Sequence, residues 1–258
     1  MDKETEKPVE VDGKPVTSEA VFTPENAEGT VDVTFTFDGS GLKGKTVVVF
    51  ESLLWKGKEI AVHADLSDEG QTIYFPEIGT TAKDTETNSH VSKADEEVTI
   101  VDTVSYQNLV PGKEYKVSGV LMDKETGKEL LVDGKNVTAE TVFTPEKSEG
   151  TVELTFVFDG SVLEGKTIVA FETLTYQEKE VATHTDIEDQ EQSIYFPQIH
   201  TTAKDGIDGD QEITESEKMT VVDTVAYENL ETGKQYNLLL MEPDLQEKNW
   251  LYLKSCIL

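Results

Sequence analysis

The stretch VTIVDTVSYQNL, residues 98–109, sets the fold of this chain and also shows how the chain is organised. Its β-branched and aromatic residues alternate with polar ones, which is typical of a half-buried β-strand. Its second part, VDTVSYQNL, returns 121 residues later as VDTVAYENL at 222–230. A second motif, HADLSDEGQTIYFP from His63, returns at the same spacing as HTDIEDQEQSIYFP from His184. A period of this length is that of a whole domain rather than of a solenoid unit.

The repeat predicts the domain boundaries. Residues 1–77 align with 122–198 without a gap, and 47 of the 77 positions are identical. The register is lost after Tyr236, and the segment beyond it carries the single cysteine, Cys256. We therefore expect four parts: a partial repeat that lacks its first strands (1–77), a complete repeat (78–198), the opening of a third repeat (199–240) and a divergent tail (241–258).

Each repeat is predicted to be an immunoglobulin-like β-sandwich. The complete repeat contains about seven strand-like segments, separated by turn signals such as Pro111-Gly112, Asp133-Gly134 and Asp159-Gly160. No segment shows a helical period with caps. Short strands at this spacing are typical of an all-β sandwich, with a small closed barrel as the alternative.

Composition excludes several classes of partner. The chain has 258 residues, 22 Lys plus Arg against 52 Asp plus Glu, and a formal net charge of −30. Such a surface repels phosphate backbones and anionic lipids, so we expect neither nucleic-acid binding nor insertion into a membrane. Cys256 has no partner for an intrachain disulfide. No apolar run is long enough to span a membrane, and the first residues are not a signal peptide.

Two polar residues fall on apolar faces of predicted strands. Glu172 alternates with Ile168, Ala170 and Leu174, and Gln192 shares a face with Ile194 and Phe196; Glu51 and Gln71 are their equivalents in the first repeat. A carboxylate in such surroundings is unfavourable unless it is paired or protonated, and a buried amide needs hydrogen-bond partners. A solvated edge for Glu172 and a strand end for Gln192 are the plain alternatives.

Other polar residues recur at fixed offsets from these two. Asp133 and His184 have equivalents in Asp12 and His63. Asp133 precedes a glycine and is explained equally well by a turn, and His184 by an ordinary strand position. In the strand at 98–106, Asp102 shares the more apolar face, whereas Thr103 lies beside Val101.

The segments DTVSYQNL, LVDGKNVTAETVFTP, VAFETL and HTDIEDQEQSIYFP together resemble the T-Q ester-bond domains, or VaFE repeats, of Gram-positive surface adhesins. The resemblance implies an internal ester between a threonine on the first strand and a glutamine on the last. On this sequence it points to Thr103 and Gln192, assisted by Asp133, Glu172 and His184. His184 would act as base and proton shuttle, and the two acids would share one proton.

The same resemblance implies a function. It predicts a stalk in an extracellular, cell-wall-anchored adhesin, with the anchor, the signal peptide and any site for a host ligand outside this chain. The reaction would be a single turnover on the protein itself, so the chain is not expected to be an enzyme, and no cofactor or metal is expected.

Half-sites remain in the partial repeats. Asp12, Glu51, His63 and Gln71 have no threonine strand, and Thr224 has no acceptor. Strand addition could bring Thr224 to Gln71 of another molecule and give covalent oligomers, while aggregation through exposed edges is the competing expectation.

Three other functions stay open at this point. One is a sandwich without a crosslink that binds a host protein or glycan. Another is a calcium-dependent linker based on DGIDGD at 205–210, and the third is a hydrolase that uses His184.

Overall fold

A computed structural model describes residues 1–239, 241–243 and 250–252 of the chain. Strands dominate, and the helical content of the described part is limited to two short 3-10 segments, Ser40–Leu42 and Glu69–Gln71. Within these residues, no helix has the length and apolar character needed to cross a membrane. Most of the predicted divergent tail, Cys256 included, lies outside the described residues.

The strands follow the repeat. The first repeat contains β1 (Glu10–Val11), β2 (Lys14–Pro15), β3 (Thr46–Val48), β4 (Glu51–Trp55), β5 (Lys58–His63) and β6 (Thr72–Tyr74). The second contains β7 (Glu77–Asp84), β8 (Val98–Gln107), β9 (Tyr115–Asp123), β10 (Lys128–Glu129), β11 (Leu131–Val132), β12 (Lys135–Asn136), β13 (Thr138–Phe143), β14 (Gly150–Phe158), β15 (Thr167–Tyr176), β16 (Lys179–His184) and β17 (Ser193–Tyr195). Beyond it lie β18 (Gln198–Asp205), β19 (Val221–Glu228), β20 (Met241–Pro243) and β21 (Trp250–Tyr252).

The second repeat is a two-sheet sandwich. One sheet has the order β14-β8-β7, and all of its pairs are antiparallel. The other is built on β9 and β15, with β10 and β13 paired to β9, and β16 and β17 paired to β15. Consecutive strands β13 and β14 belong to different sheets, so the chain crosses between the two layers there. This arrangement confirms the predicted all-β sandwich.

The core lies between the two sheets and follows from the two-residue period of the strands. In β8, every second residue from Val98 to Tyr106 is buried, and β9 alternates in the same way from Tyr115 to Leu121. Phe156 and Phe196 are the largest fully buried side chains. The core is therefore formed by side chains from both sheets.

The first repeat lacks this two-sheet core, although 47 of its 77 positions are identical to those of residues 122–198. Residues 16–39 contain no strand, whereas the equivalent residues 137–160 contain β13 and β14. In the second repeat β14 pairs along its whole length with β8. Residues 1–75 contain no equivalent of β8, so the backbone groups of this segment have no sheet to join.

Successive repeats meet through an asparagine. Asn108, with φ of 62°, donates to Phe75 O at 3.5 Å and accepts from Thr46 Oγ1 at 3.0 Å. Asn229, the next copy of Asn108, makes the same contacts with Phe196 O at 3.3 Å and Thr167 Oγ1 at 2.8 Å. The joint between repeats is thus built twice with the same geometry.

Candidate functional site

Three polar side chains are fully buried at one place in the sandwich of the second repeat. Asp102 comes from β8, Glu172 from β15 and Gln192 from the residue before β17, and each has a relative exposure of 0%. Thr80, on β7, is half-buried and shares the inward face of its strand with Ile78 and Ala82. The site therefore lies between the two sheets, with its members on four different segments.

The Gln192 carboxamide is the centre of this site. Its Nε2 donates to Thr80 Oγ1 and lies 3.3 Å from Asp102 Oδ1. The main chain holds the segment in place, because Ala82 N donates to Glu191 O at 2.9 Å and Ala170 N to Gln192 O at 3.1 Å. A hydroxyl, an amide and a carboxyl group thus meet in a site without bulk water.

The two buried acids titrate far from their ordinary range. Burial, first of all, and then the neighbouring Asp102 carboxyl group raise the pKa of Glu172 to about 10, and the Thr80 hydroxyl acts in the opposite direction. Burial also raises the pKa of Asp102 to about 6, while Glu172, the charge of His184 and the Thr81 backbone limit the rise. At neutral pH the pair therefore holds one proton, which resides on Glu172.

Four side-chain oxygens of the site have no hydrogen-bond partner. Both Glu172 carboxyl oxygens, Asp102 Oδ2 and Gln192 Oε1 are buried without a hydrogen-bond donor. Two ionised carboxylates have no hydrogen to share, but a protonated Glu172 has one. Unpaired buried oxygens are unfavourable in a resting protein and often mark functional sites.

His184 lies at the edge of the site. It is paired with Glu172 across the β15–β16 ladder, and its Nε2 lies 2.7 Å from Asp189 Oδ2. About a quarter of each of these two side chains is exposed. Asp189 thereby orients the imidazole, whose charge acts on Asp102.

The structure does not bring Thr103 to Gln192. Thr103 is opposite Thr81 and Glu153 in the ladders, and it lies on the face of β8 away from Asp102. The threonine that contacts Gln192 is Thr80, on the neighbouring strand. The predicted meeting of Thr103 with Gln192 is therefore not observed, because side chains alternate along β8 and Thr103 lies on its other face.

Asp133, which was predicted to assist the reaction, does not lie in the buried site. It is exposed in the turn of the β11–β12 hairpin, with φ of 51°, and Gly134 follows with φ of 73°. Asp12 and Gly13 form the same turn between β1 and β2. Two consecutive positive φ values favour Asp-Gly, which explains the recurrence of this pair. The buried acid beside Glu172 is Asp102.

The half-sites of the partial repeats are open to solvent. Glu51 and His63 pair across β4 and β5 as Glu172 and His184 do, but both are exposed. His63 Nε2 lies 2.8 Å from Asp68 Oδ2, and Gln71 is half-buried. Thr224 is exposed and is paired with Thr202.

Asp102, Thr80 and Asp189 belong to the site but were not among the predicted site residues. The sequence contains an indication of each. Asp102 lies on the apolar face of its strand, which the alternation had indicated. Thr80 belongs to TTAKD, which recurs at 201–205, and Asp189 recurs as Asp68. Recurrence alone could not separate these residues from Asp133, because most positions of the repeat recur.

The described residues contain no group of three or more His, Cys, Asp or Glu side chains placed to hold a metal ion. DGIDGD forms a turn after β18, in which Gly209 N donates to Asp205 O at 3.0 Å.

Comparison with protein families gives one match, which spans most of the chain. The model of the T-Q ester bond containing domain matches three times in succession, at residues 1–75, 76–196 and 197–241. No protein with a curated description matches the chain.

Solved structures with a similar arrangement of strands are distant. One is a bacterial adhesin from Mobiluncus mulieris containing intramolecular disulfide, isopeptide and ester bond cross-links; it is 17% identical, with 60% of this chain and 74% of that chain covered and a TM-score of 0.38. Another is a glycosyl hydrolase family 2 member from Bacteroides cellulosilyticus, 14% identical over 58% of this chain and 18% of that chain, with a TM-score of 0.36.

Proposed function

Because this chain belongs to the family of T-Q ester bond containing domains, we propose that its complete repeat forms an internal ester between Thr80 and Gln192. The observation that carries the proposal is the contact of the Gln192 amide with Thr80 Oγ1 beside two buried carboxyl groups. The reacting carbon, Gln192 Cδ, is one bond away from the nitrogen that touches the hydroxyl.

The reaction is an acyl transfer that releases ammonia. Thr80 Oγ attacks Gln192 Cδ, the Cδ–Nε2 bond breaks, and the hydroxyl proton leaves with the nitrogen as NH3. A threonine hydroxyl needs a base, and an amide needs stabilisation of the negative charge that develops on its oxygen. Both needs are met by groups already in the site.

The two acids take different roles because their pKa values differ. Asp102, the ionised member, lies 3.3 Å from Gln192 Nε2 and can accept the Thr80 proton and return it to the departing nitrogen. Glu172, the protonated member, would donate to Gln192 Oε1, which has no donor in the resting site. Burial then protects the ester from hydrolysis.

His184 is a positioning residue in this scheme. No contact places it on Thr80 or Gln192, but its charge is one of the influences, after that of Glu172, that limit the rise in the pKa of Asp102 caused by burial. This assignment differs from the role of base that the resemblance implied for His184. The reaction occurs once, in the complete repeat, so the protein consumes itself as substrate and is not an enzyme.

The ester gives the repeat a mechanical function. Thr80 lies on β7, where the chain enters the sandwich, and Gln192 immediately precedes β17, where it leaves. A covalent bond across these 112 residues carries tension past the core, so that pulling on the ends does not separate the strands. We propose an extracellular stalk of a surface-anchored adhesin as the setting in which such a domain is useful.

Intact mass spectrometry of the purified chain tests the ester. The expected mass is that of the sequence less one ammonia, and Thr80→Ala should restore the full mass. Asp102→Asn should also stop the reaction, because an amide cannot accept the proton. Thr103→Val is the matched control, since the same type of residue on the outer face of the sheet should leave the ammonia loss unchanged.

A mass equal to that of the sequence in the unaltered chain would refute the ester. It would leave the alternative function, a sandwich without a crosslink that binds a host protein or glycan.

A further inference from the structure

The loop between β7 and β8 of the complete repeat, residues 85–97, runs along one edge of β17. Tyr195 N donates to His90 O at 2.8 Å, and Ser92 N donates to Tyr195 O at 2.9 Å. Val91 and Tyr195 form a parallel bridge, while β15 pairs with the other edge of β17. We call residues 85–97 the strap, because they add a short extended segment to the strand that follows Gln192.

Two buried polar side chains fold the strap. Ser92 and Asp84 have relative exposures of only 2% and 4%. Ser92 Oγ donates to Asp84 Oδ2 at 2.8 Å, and Thr87 N donates to Asp84 Oδ1 at 2.8 Å. A buried carboxyl group is unfavourable unless it is hydrogen-bonded, so these two bonds favour the one conformation of the strap that provides them.

The strap joins the two strands that carry the reacting residues. Asp84 is the last residue of β7, on which Thr80 lies, and Tyr195 is the last residue of β17, which Gln192 immediately precedes. Ser92 is hydrogen-bonded to both ends, through its side chain to Asp84 and through its backbone N–H to Tyr195. It therefore helps to set the separation of these two strands beside the site.

A second contact of the strap is next to the acceptor itself. His90 Nε2 lies 3.7 Å from Glu191 Oε2, and the Glu191 carbonyl accepts from Ala82 N at 2.9 Å. The residue before Gln192 is thus contacted by the strap on its side chain and by β7 on its backbone.

We propose that Ser92 is a positioning residue for the ester reaction: it holds the strap against β17 and thereby keeps Gln192 Cδ within reach of Thr80 Oγ. The inference rests on the proposed ester and deepens it by naming a residue that acts through others. Ser92 takes no part in making or breaking bonds. Its effect is on the approach of the reacting groups, where a displacement of about 1 Å can slow a reaction about 100-fold.

The strap belongs to this repeat and not to the repeated motifs. The flanking segments TTAKD and VDTV recur at 201–205 and 222–225, whereas Ser92 corresponds to Ile213 and His90 to Gln211. An isoleucine side chain has no hydroxyl to donate, so the bond between Ser92 and Asp84 has no counterpart there. The positioning role could therefore not be found from recurrence.

A matched pair of variants of the full chain provides the test. Ser92→Thr keeps the hydroxyl and Ser92→Val replaces it with a methyl group, so the two side chains have the same shape. Each chain is made by cell-free translation, synthesis is stopped, and samples are denatured at intervals. Intact mass then gives the fraction that has lost ammonia. Ser92→Val should lose ammonia about 10- to 100-fold more slowly than Ser92→Thr.

Thr141→Val is the control for loss of a hydroxyl elsewhere in the sandwich. Thr141 Oγ1 donates to Glu153 O at 3.0 Å, between β13 and β14 and away from the strap. This variant should lose ammonia at the rate of the unaltered chain.

Hydrogen exchange shows whether the hydroxyl acts through the strap. In the Thr80→Ala background, where no ester restrains the strands, the Tyr195 amide should exchange several-fold faster with Ser92→Val than with Ser92→Thr. The amides of β14, which pair with β8, should exchange equally in the two chains because the sandwich stays folded.

The outcomes separate this inference from the proposed function. Equal rates of ammonia loss for Ser92→Val and Ser92→Thr, with the unaltered chain forming its ester, would overturn the positioning role alone. Faster exchange throughout β14 with Ser92→Val would also overturn it, because the whole domain would then be loosened. An unaltered chain that never loses ammonia would refute the ester and the positioning role together.

Discussion

Residues 17–37 and 138–158 have closely similar sequences, yet only the second segment forms strands. The difference lies in what surrounds them. In the second repeat β13 pairs with β9 and β14 with β8. In the first repeat neither partner is present, and Val31, Val33 and Phe37 are exposed. A strand sequence is therefore not sufficient for a strand, because its hydrogen bonds and its buried face both depend on a neighbour.

The site shows the same contrast. Glu51 and Glu172 occupy equivalent positions opposite a histidine, but only Glu172 is enclosed by both sheets. The pKa of Glu172 is raised to about 10 by burial and by Asp102. The two buried carboxyl groups thus require the completed sandwich.

The largest effect is expected from loss of the ester. Thr80→Ala should lower the free energy of unfolding of the second repeat by about 5 kcal/mol, because the crosslink closes a loop of 112 residues. That loss corresponds to roughly 15 °C or more in the thermal midpoint. Calorimetry measures it, and Thr201→Ala, the equivalent change in the partial repeat, should leave the transition where it is. Equal midpoints for the chain with and without Thr80 would contradict the prediction.

The second largest effect is expected from core substitutions, which should lower the free energy of unfolding much more in the second repeat than in the first. Leu154 is fully buried in the second repeat, whereas its equivalent Val33 is 40% exposed. Leu154→Ala should cost about 3 kcal/mol of the free energy of unfolding, and Val33→Ala less than about 0.5 kcal/mol. Urea unfolding of the two variants, both in the Thr80→Ala background, provides the comparison. Similar costs at the two positions would show that the first repeat has a core of its own.

The smallest effect is a dependence of stability on pH. Glu172 has its pKa raised from 4.5 to about 10, so the folded state binds a proton that the unfolded state releases between these values. Stability from this group is fully present below about pH 4.5 and is lost as the pH rises towards 10, by up to about 1.4 kcal/mol per pH unit. Asp102 adds the same trend between 3.8 and about 6.

Urea unfolding of the Thr80→Ala variant at pH 6, 7 and 8 measures this slope. A second change, Glu172→Gln, should abolish it, and Glu51→Gln should not alter it. A slope that survives Glu172→Gln would place the responsible group elsewhere.

The repeat and the all-β class could be predicted from the sequence alone, because these depend on spacing and on the alternation of apolar residues along the chain, and the family was indicated by the resemblance of several motifs. The sequence also indicated Glu172 and Gln192, since a polar residue within an apolar alternation can be recognised locally. The same alternation placed Asp102 on the apolar face of its strand.

Which residues meet could not be predicted from the sequence. Thr80, Asp102, Glu172 and Gln192 come from four segments, and their meeting depends on how the strands pair across two sheets. A shift of one residue moves a side chain to the other face of a sheet, and for this reason Thr103, one position from Asp102, lies outside the site. Asp133 recurs because its turn needs positive φ, a requirement of the backbone that leaves the same trace in the sequence as a requirement of chemistry.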